Sequence, residues 1–292
     1  MAYDYQTITV ELDEGVLTAT LSNPPINVMT AALYRDLVAF TQQVQDDERV
    51  RVLVLVLQSA DPDFVIAHFD IELILTFPTD TPPIKAENLS DFHLMCERVR
   101  TMGKPTIAKI AGRVGGGGNE FSASCDMRFG LKNKTVINQM EVPLGILPGG
   151  GGTQQLPRLI GRGRAMELIL GADDLNAVTA EKWGYLNQIF DTQAELDAYV
   201  HRLAHRMALW PPAAVALAKQ SILNAELPIG EGLREEAYLF QQTLRGPSAT
   251  ANMNRALQMG AQTREGELRI AELCEEVAIA NKGQSAEDTE PE

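Results

Sequence analysis

The chain has 292 residues, of which 45% are hydrophobic and 22% charged, so it carries ample apolar material for one large core or two modest ones. Thirty-nine acidic against twenty-five basic side chains give a formal net charge of −14, which argues against a nucleic-acid or anionic-membrane surface. Cys96, Cys125 and Cys274 lie far apart, with no metal-ligand spacing and no disulfide framework, so no bound metal and a reducing compartment are expected. The N-terminal stretch MAYDYQTITVELDEG holds acids and no apolar run, and does not read as a signal peptide. No apolar run approaches the length of a membrane span, and the expected location is cytoplasmic.

In chain order, residues 7–12 and 16–21 are short apolar-rich runs around Asp13-Glu14-Gly15, the pattern of a β-hairpin. Asn23-Pro24-Pro25 ends the second run, and Thr30 is placed to cap a helix over 31–46 with Leu33, Leu37, Val38, Phe40 and Val44 on one face. Residues 52–57 (VLVLVL) are apolar without alternation, which predicts a strand covered on both sides. After the turn residues Asp61-Pro62-Asp63 comes FVIAHFDI (64–71), and then a surface loop over 72–87 with mixed polarity and three prolines. A helix near 88–102 stops at Gly103-Lys104-Pro105.

The stretch from Ile107 to Asp126 organises the chain. It begins as a buried strand (Ile107, Ala108, Ile110, Ala111), passes through Gly115–Gly118 and enters a helical segment whose first turn carries Glu120. Glycines let main chain approach a ligand closely, and the first N–H groups of a helix lack partners within it and point outward with partial positive charge. Such a junction suits an anion or a developing oxyanion, with a carboxylate beside it for acid or base work. The same residues equally suit a tight turn and a glutamate favoured by the helix dipole. Spacing excludes both phosphate loops: no G-x-G-x-x-G and no G-x-x-x-x-G-K-[ST] is present.

Strands are predicted at 127–131 and 135–138. A second four-glycine run, Gly149–Gly152, precedes a helix from Thr153. Beyond 162 the pattern is helical (163–170, 179–183, 193–209, 213–225, 229–245, 248–261 and 264–281), with one strand at 186–190 and a polar, acidic end at 282–292 expected to be disordered.

The central stretch, IAxxxGxxxGGGxE…CD, is followed by QMEVPLGILPGGGGTQQLPRLIG (139–161) and GADDLNAVTAEKWGYLNQIF (171–190). In that order and spacing these segments resemble the crotonase family, also called the enoyl-CoA hydratase/isomerase superfamily, from the N-terminal hairpin to about residue 260. The resemblance implies an α/β (crotonase/ClpP-like) fold. A spiral core of repeated ββα units would occupy 1–195 and a C-terminal helical trimerisation region 196–281, with the acidic tail at 282–292. It further implies a homotrimer or homohexamer (a dimer of trimers). The substrate would be an acyl-CoA thioester of fatty acid metabolism, with CoA carried by the substrate and no separate cofactor.

By position, the resemblance makes the backbone N–H groups of Phe69 and Gly117 the oxyanion hole, with Ala67, His68, Asp70, Gly116 and Gly149 around the substrate. Glu120 and Glu141 match the two glutamates that hydratases of the family use, the first to orient and deprotonate water, the second to supply a proton at C2. That division needs one ionised and one protonated carboxyl, which a shared, partly desolvated site can hold. The leading expectation is therefore hydration of a 2-enoyl-CoA. An isomerase, an acyl-CoA hydrolase or decarboxylase of the same fold, and a non-catalytic acyl-CoA-binding subunit are the alternatives.

Two departures from the family pattern bear on this. Relatives usually have small residues where His68 and Phe69 stand, and many carry a lysine at the position of Glu72 that favours the CoA phosphates. Arg158, Arg162, Arg164 and Lys104 are the other candidates for that charge. Cys125, next to Asp126, is expected to pack in the core.

Overall fold

In the computed structural model the described residues are 2–57 and 62–287. The chain divides into two compact units, one of residues 1–102 and 106–204, the other of residues 103–105 and 205–292.

The first unit opens with strands β1 (Ile8–Asp13) and β2 (Val16–Leu21), paired antiparallel with Asp13 opposite Val16. The two linking residues both have positive φ, 44° at Glu14 and 89° at Gly15, the backbone that a two-residue hairpin turn with matching twist requires. Helix α1 (Ala31–Asp46) begins as predicted, with the Thr30 hydroxyl accepting from the Leu33 amide. Its buried stripe of Leu33, Leu37, Phe40 and Val44 lies against the core.

After α1 the strands alternate between two sheets. β3 (Val52–Leu57) joins the large sheet and β4 (Phe64–Ile66) the small one. Helices α2 (Ile71–Ile74) and α3 (Asp91–Thr101) follow. β5 (Thr106–Ile110) then returns to the large sheet and β6 (Arg113–Gly115) to the small one. Helix α4 (Gly116–Ala123) leads to β7 (Met127–Leu131) in the large sheet and β8 (Val136–Asn138) in the small one. Each circuit thus gives one strand to each sheet and a helix outside, which is the repeated ββα spiral.

Helices α5 (Gly152–Ile160) and α6 (Arg162–Gly171), strand β9 (Leu175–Asn176), helix α7 (Ala177–Trp183), strand β10 (Gln188–Phe190) and most of helix α8 (Gln193–Ala208) complete this unit. The sheet orders are β1-β2-β3-β5-β7-β10 and β4-β6-β8-β9. Pairing is parallel from β2 onward in the large sheet, so β3 and β5 are interior strands, as the continuous apolar run of β3 predicts.

The second unit holds α9 (Pro212–Leu223), α10 (Ile229–Leu244), α11 (Ala249–Gln258), α12 (Arg264–Leu268) and α13 (Ile270–Glu287). Within it α9 packs on α10, and α11 on α13. Ile222, Ile229, Phe240 and Leu268 leave more than half of their surface exposed. Among the described residues no helix is long and apolar enough to cross a membrane.

Local readings differ in a few places. Helix α3 starts at Asp91, where the Ser90 hydroxyl caps it, rather than near 88. The helix expected over 264–281 is broken at Arg269 into α12 and α13, and α13 continues to Glu287. The remainder of the expected tail, 288–292, and Asp61 of the expected turn lie outside the described residues. Strands β6 and β9, of three and two residues, have no sequence pattern long enough to announce them. The surface loop expected over 72–87 is helical at its start, since 72–74 belong to α2; the stretch 75–90 has no helix or strand and is exposed throughout.

Candidate active site

Helix α4 begins inside the glycine run, one residue beyond β6. Gly116–Gly118 are therefore its first three residues and Glu120 its fifth, so Glu120 sits in the second turn rather than the first. The glycines are there for close approach. A Cβ on Gly118 would lie 2.6 Å from the Ile66 Cβ on β4, and one on Gly117 3.0 Å from the Phe69 Cβ. Gly116, at φ 47°, would place a Cβ 2.9 Å from Glu141 Oε1 and 3.3 Å from the His68 Cβ. The segment 66–70, the start of α4 and Glu141 are thereby packed together. Gly115, at the N-cap, has no side chain to cap the helix, so its first amides are not satisfied by a capping oxygen.

The segment carrying Phe69 is fixed by main chain on both sides. Met29 donates its amide to the His68 carbonyl at 2.9 Å and accepts the Asp70 amide at 3.2 Å, the bond pattern of a parallel bridge to Phe69. In that pattern the bridged residue's own N–H points to the opposite side. The Asp70 carboxylate caps α2, accepting from the amides of Glu72 at 2.9 Å and Leu73 at 3.3 Å. Ala67 is buried, and its carbonyl would lie 2.6 Å from a Cβ on Gly115. His68 Nδ1 sits 2.8 Å from the Phe69 carbonyl oxygen, so the ring is partnered by backbone.

The Phe69 ring forms a cluster with Tyr34 and Phe92, with centroids 5.6–5.9 Å apart and Tyr34 stacked on Phe92. Phe92, on α3, also covers Gly150, where an added Cβ would lie 2.3 Å from its ring.

Glu120 is 3% exposed and its Oε1 accepts two main-chain amides, those of Gly150 and Gly152, each at 2.8 Å. The second glycine run is thus a cradle for this carboxyl: a Cβ on Gly150 would lie 2.6 Å from Glu120 Oε2, and one on Gly152 3.1 Å from Oε1. Burial nevertheless pushes the Glu120 pKa up to about 7, opposed by the two amides and reinforced by the charge of Glu141. Glu141 is itself 9% exposed, stands at the start of a 3-10 turn over Val142–Leu144, and has its pKa raised by burial. Its own amide, Gln139 and the charge of His68 pull the other way. The two acids, twenty-one positions apart, are close enough to couple electrostatically.

Gly149 is exposed, and it is its successors Gly150 and Gly152 that donate to Glu120. That role was not read from sequence, although glycines ahead of the helix at 153 carry the signal of an amide cradle that Gly115–Gly118 carry. Glu72 is exposed in the first turn of α2. Arg158 donates to the Gln154 carbonyl at 2.7 Å, and Arg164 to the Trp183 carbonyl at 3.1 Å while lying over the Trp183 ring. Cys125 is buried in the core cluster.

A sheet pair wound in ββα circuits, with two coupled buried glutamates beside an uncapped helix start, defines a crotonase-type enzyme. A family model described as enoyl-CoA hydratase/isomerase matches residues 11–265, and the chain belongs to that family. A protein of Dictyostelium discoideum named "Probable enoyl-CoA hydratase, mitochondrial" is 31% identical over 252 residues, covering 85% of this chain and 87% of its own length. A "Probable enoyl-CoA hydratase" of Rhizobium meliloti is 32% identical over 242 residues, covering 81% and 89% respectively. Among solved structures, an enoyl-CoA hydratase from Bacillus anthracis superposes with a TM-score of 0.74 at 27% identity, over 87% of this chain and 95% of that one.

Proposed function

We propose that the chain adds water across the double bond of a 2-enoyl-CoA thioester. The observation that carries the reading is the pair of buried carboxyls, Glu120 and Glu141, coupled to each other and packed beside the start of α4. The thioester oxygen would accept the N–H groups of Phe69 and Gly117, two residues close enough that a Cβ added at Gly117 would lie 3.0 Å from the Phe69 Cβ. An enolate forming on that oxygen is stabilised by such fixed donors, each worth about 3 kcal/mol or more.

Glu120, held by two amides on Oε1, keeps Oε2 for the water. It removes a proton as the water oxygen bonds to C3, and the π electrons move onto C2 and the thioester oxygen. Glu141 then delivers its proton to C2, and proton exchange returns both acids to their starting states. A pKa near 7 suits Glu120 to this exchange, because the group can be both ionised and re-protonated at neutral pH. The reaction uses no cofactor beyond the CoA of the substrate. Ala67, His68, Asp70, Gly116 and Gly149 are assigned to its surroundings, Asp70 by fixing the Phe69 backbone as the α2 cap.

Exposed Ile222, Ile229, Phe240 and Leu268 support assembly into a homotrimer or a dimer of trimers, which light scattering on the purified protein would count. A cytoplasmic setting fits the three widely spaced cysteines. Product analysis after incubation with enoyl-CoA esters tests the reaction. A 3-hydroxyacyl-CoA is expected; a shifted double bond would make the chain an isomerase, and free CoA a hydrolase. Binding without turnover would make it a carrier subunit.

A further inference from the structure

A chain of three buried hydrogen bonds ends on Glu141. Tyr185 donates its hydroxyl to Asn119 Oδ1 at 2.5 Å, Asn119 Nδ2 donates to Gln139 Oε1 at 2.6 Å, and Gln139 Nε2 donates to Glu141 Oε2 at 3.0 Å. Tyr185, Asn119 and Gln139 are each 0% exposed. Tyr185 is locked from behind. It follows Gly184, which ends α7 in the left-handed conformation, and Arg128 donates to its carbonyl at 2.8 Å and lies over its ring.

We propose that Tyr185 and Asn119 are positioning residues that set the direction of this chain, so that Gln139 presents an N–H to Glu141 and the transferable proton of Glu141 is favoured on Oε1. The inference rests on the reading of Glu141 as the acid. An amide side chain can turn over and exchange its oxygen for its NH₂, so Gln139 alone has no preferred face. The direction comes from the far end. A phenol hydroxyl buried away from water must donate its proton, and burial holds Tyr185 in the protonated form.

Asn119 therefore turns its oxygen to Tyr185 and its NH₂ to Gln139. Gln139 must answer with its oxygen, which leaves its NH₂ for Glu141. Turning both amides over would set the Tyr185 O–H against an NH₂, two donors facing each other without water between them. With Oε2 accepting from Gln139, the proton is favoured on Oε1, since the carbonyl oxygen of a carboxylic acid is a better acceptor than its hydroxyl oxygen, and Oε1 is the oxygen beside Gly116 at the start of α4. The charged or titratable groups that face Glu141 are Glu120 from α4 and His68 from the 66–70 segment.

The test is the titration of the Glu141 carboxyl by pH-difference infrared spectroscopy, with Glu141→Gln identifying its band. In Tyr185→Phe nothing compels Asn119 to offer its oxygen, and Gln139 is free to turn its own oxygen to a protonated Glu141. The midpoint should then move up by about one to two pH units. If Tyr185→Phe does not fold, Asn119→Ala cuts the chain at its middle and should move the midpoint the same way. An unmoved midpoint overturns the inference, whereas a merely structural Tyr185 would lower stability and leave the midpoint in place. Turnover of an enoyl-CoA measured on the same preparations separates the two ideas. Without turnover by the wild-type protein the hydratase reading fails, and the midpoint still decides the direction of the chain.

Discussion

Gly152 donates its main-chain amide to Glu120 Oε1 at 2.8 Å, across thirty-two positions of sequence. With the Gly150 amide on the same oxygen, this bond ties the second glycine run to the carboxyl that emerges from the first. The two runs are the two halves of one device: one lets α4 start against β4 and Phe69, and the other holds the glutamate that α4 carries.

Within the cradle, neighbouring glycines should fail for different reasons. Gly150→Ala forces a Cβ to 2.3 Å from the Phe92 ring and 2.6 Å from Glu120 Oε2, so it should cost about 1–3 kcal/mol and at least tenfold in kcat. Gly151, at φ 116°, has nothing within 4 Å of an added Cβ. Gly151→Ala should lose about 1–2 kcal/mol through backbone strain alone. Urea midpoints and kcat, measured on both variants, check the contrast.

Glu120→Gln should remove activity and add stability at alkaline pH. The carboxyl rises from 4.5 to about 7 on folding, so the folded chain binds its proton more tightly than the unfolded one. Stability from this group therefore increases as pH falls from 7 toward 4.5 and is lost above 7. The burden of the buried charge at pH 9 is about 3 kcal/mol, which the neutral amide escapes while its oxygen still accepts both glycine amides. Denaturant midpoints should show the variant more stable than wild type at pH 9 and nearly equal to it at pH 4.5.

The pH profile of kcat/KM follows from the same group. As the base, Glu120 must be ionised in the free enzyme, so kcat/KM should fall as pH drops through about 7. A profile flat from pH 5 to 8 would remove Glu120 from that role.

Phe69 offers a test of main chain against side chain. Its ring packs with Tyr34 and Phe92, while its assigned role belongs to the N–H. Phe69→Ala should keep kcat on a short enoyl-CoA within about tenfold of wild type, because the donor survives the substitution. The lost ring contacts should lower the denaturant midpoint and change the relative kcat/KM among acyl groups, which a series of chain lengths would show.

The parts of this molecule that were legible in sequence are local ones. The Glu14-Gly15 turn, the Thr30 cap and the unbroken apolar run of β3 each declare themselves within a few residues. The central glycine stretch pointed to a candidate site for the same reason. Its helix boundary did not, because glycine is a poor helix former and the tight packing of Gly118 on Ile66 involves a residue distant in sequence. Contacts between distant residues were illegible. Nothing in the sequence links Tyr185 to Asn119, 66 positions away, or Glu120 to Gly152, since both bonds exist only once the spiral has wound.

The most direct test measures loss of enoyl-thioester absorbance on a series of 2-enoyl-CoA esters, for the wild-type protein and for Glu120→Gln and Glu141→Gln. The account predicts conversion to the 3-hydroxyacyl-CoA by the wild type, and a fall in kcat of about 10²- to 10⁴-fold in each variant. No absorbance loss on any ester, or full activity in either variant, would contradict it.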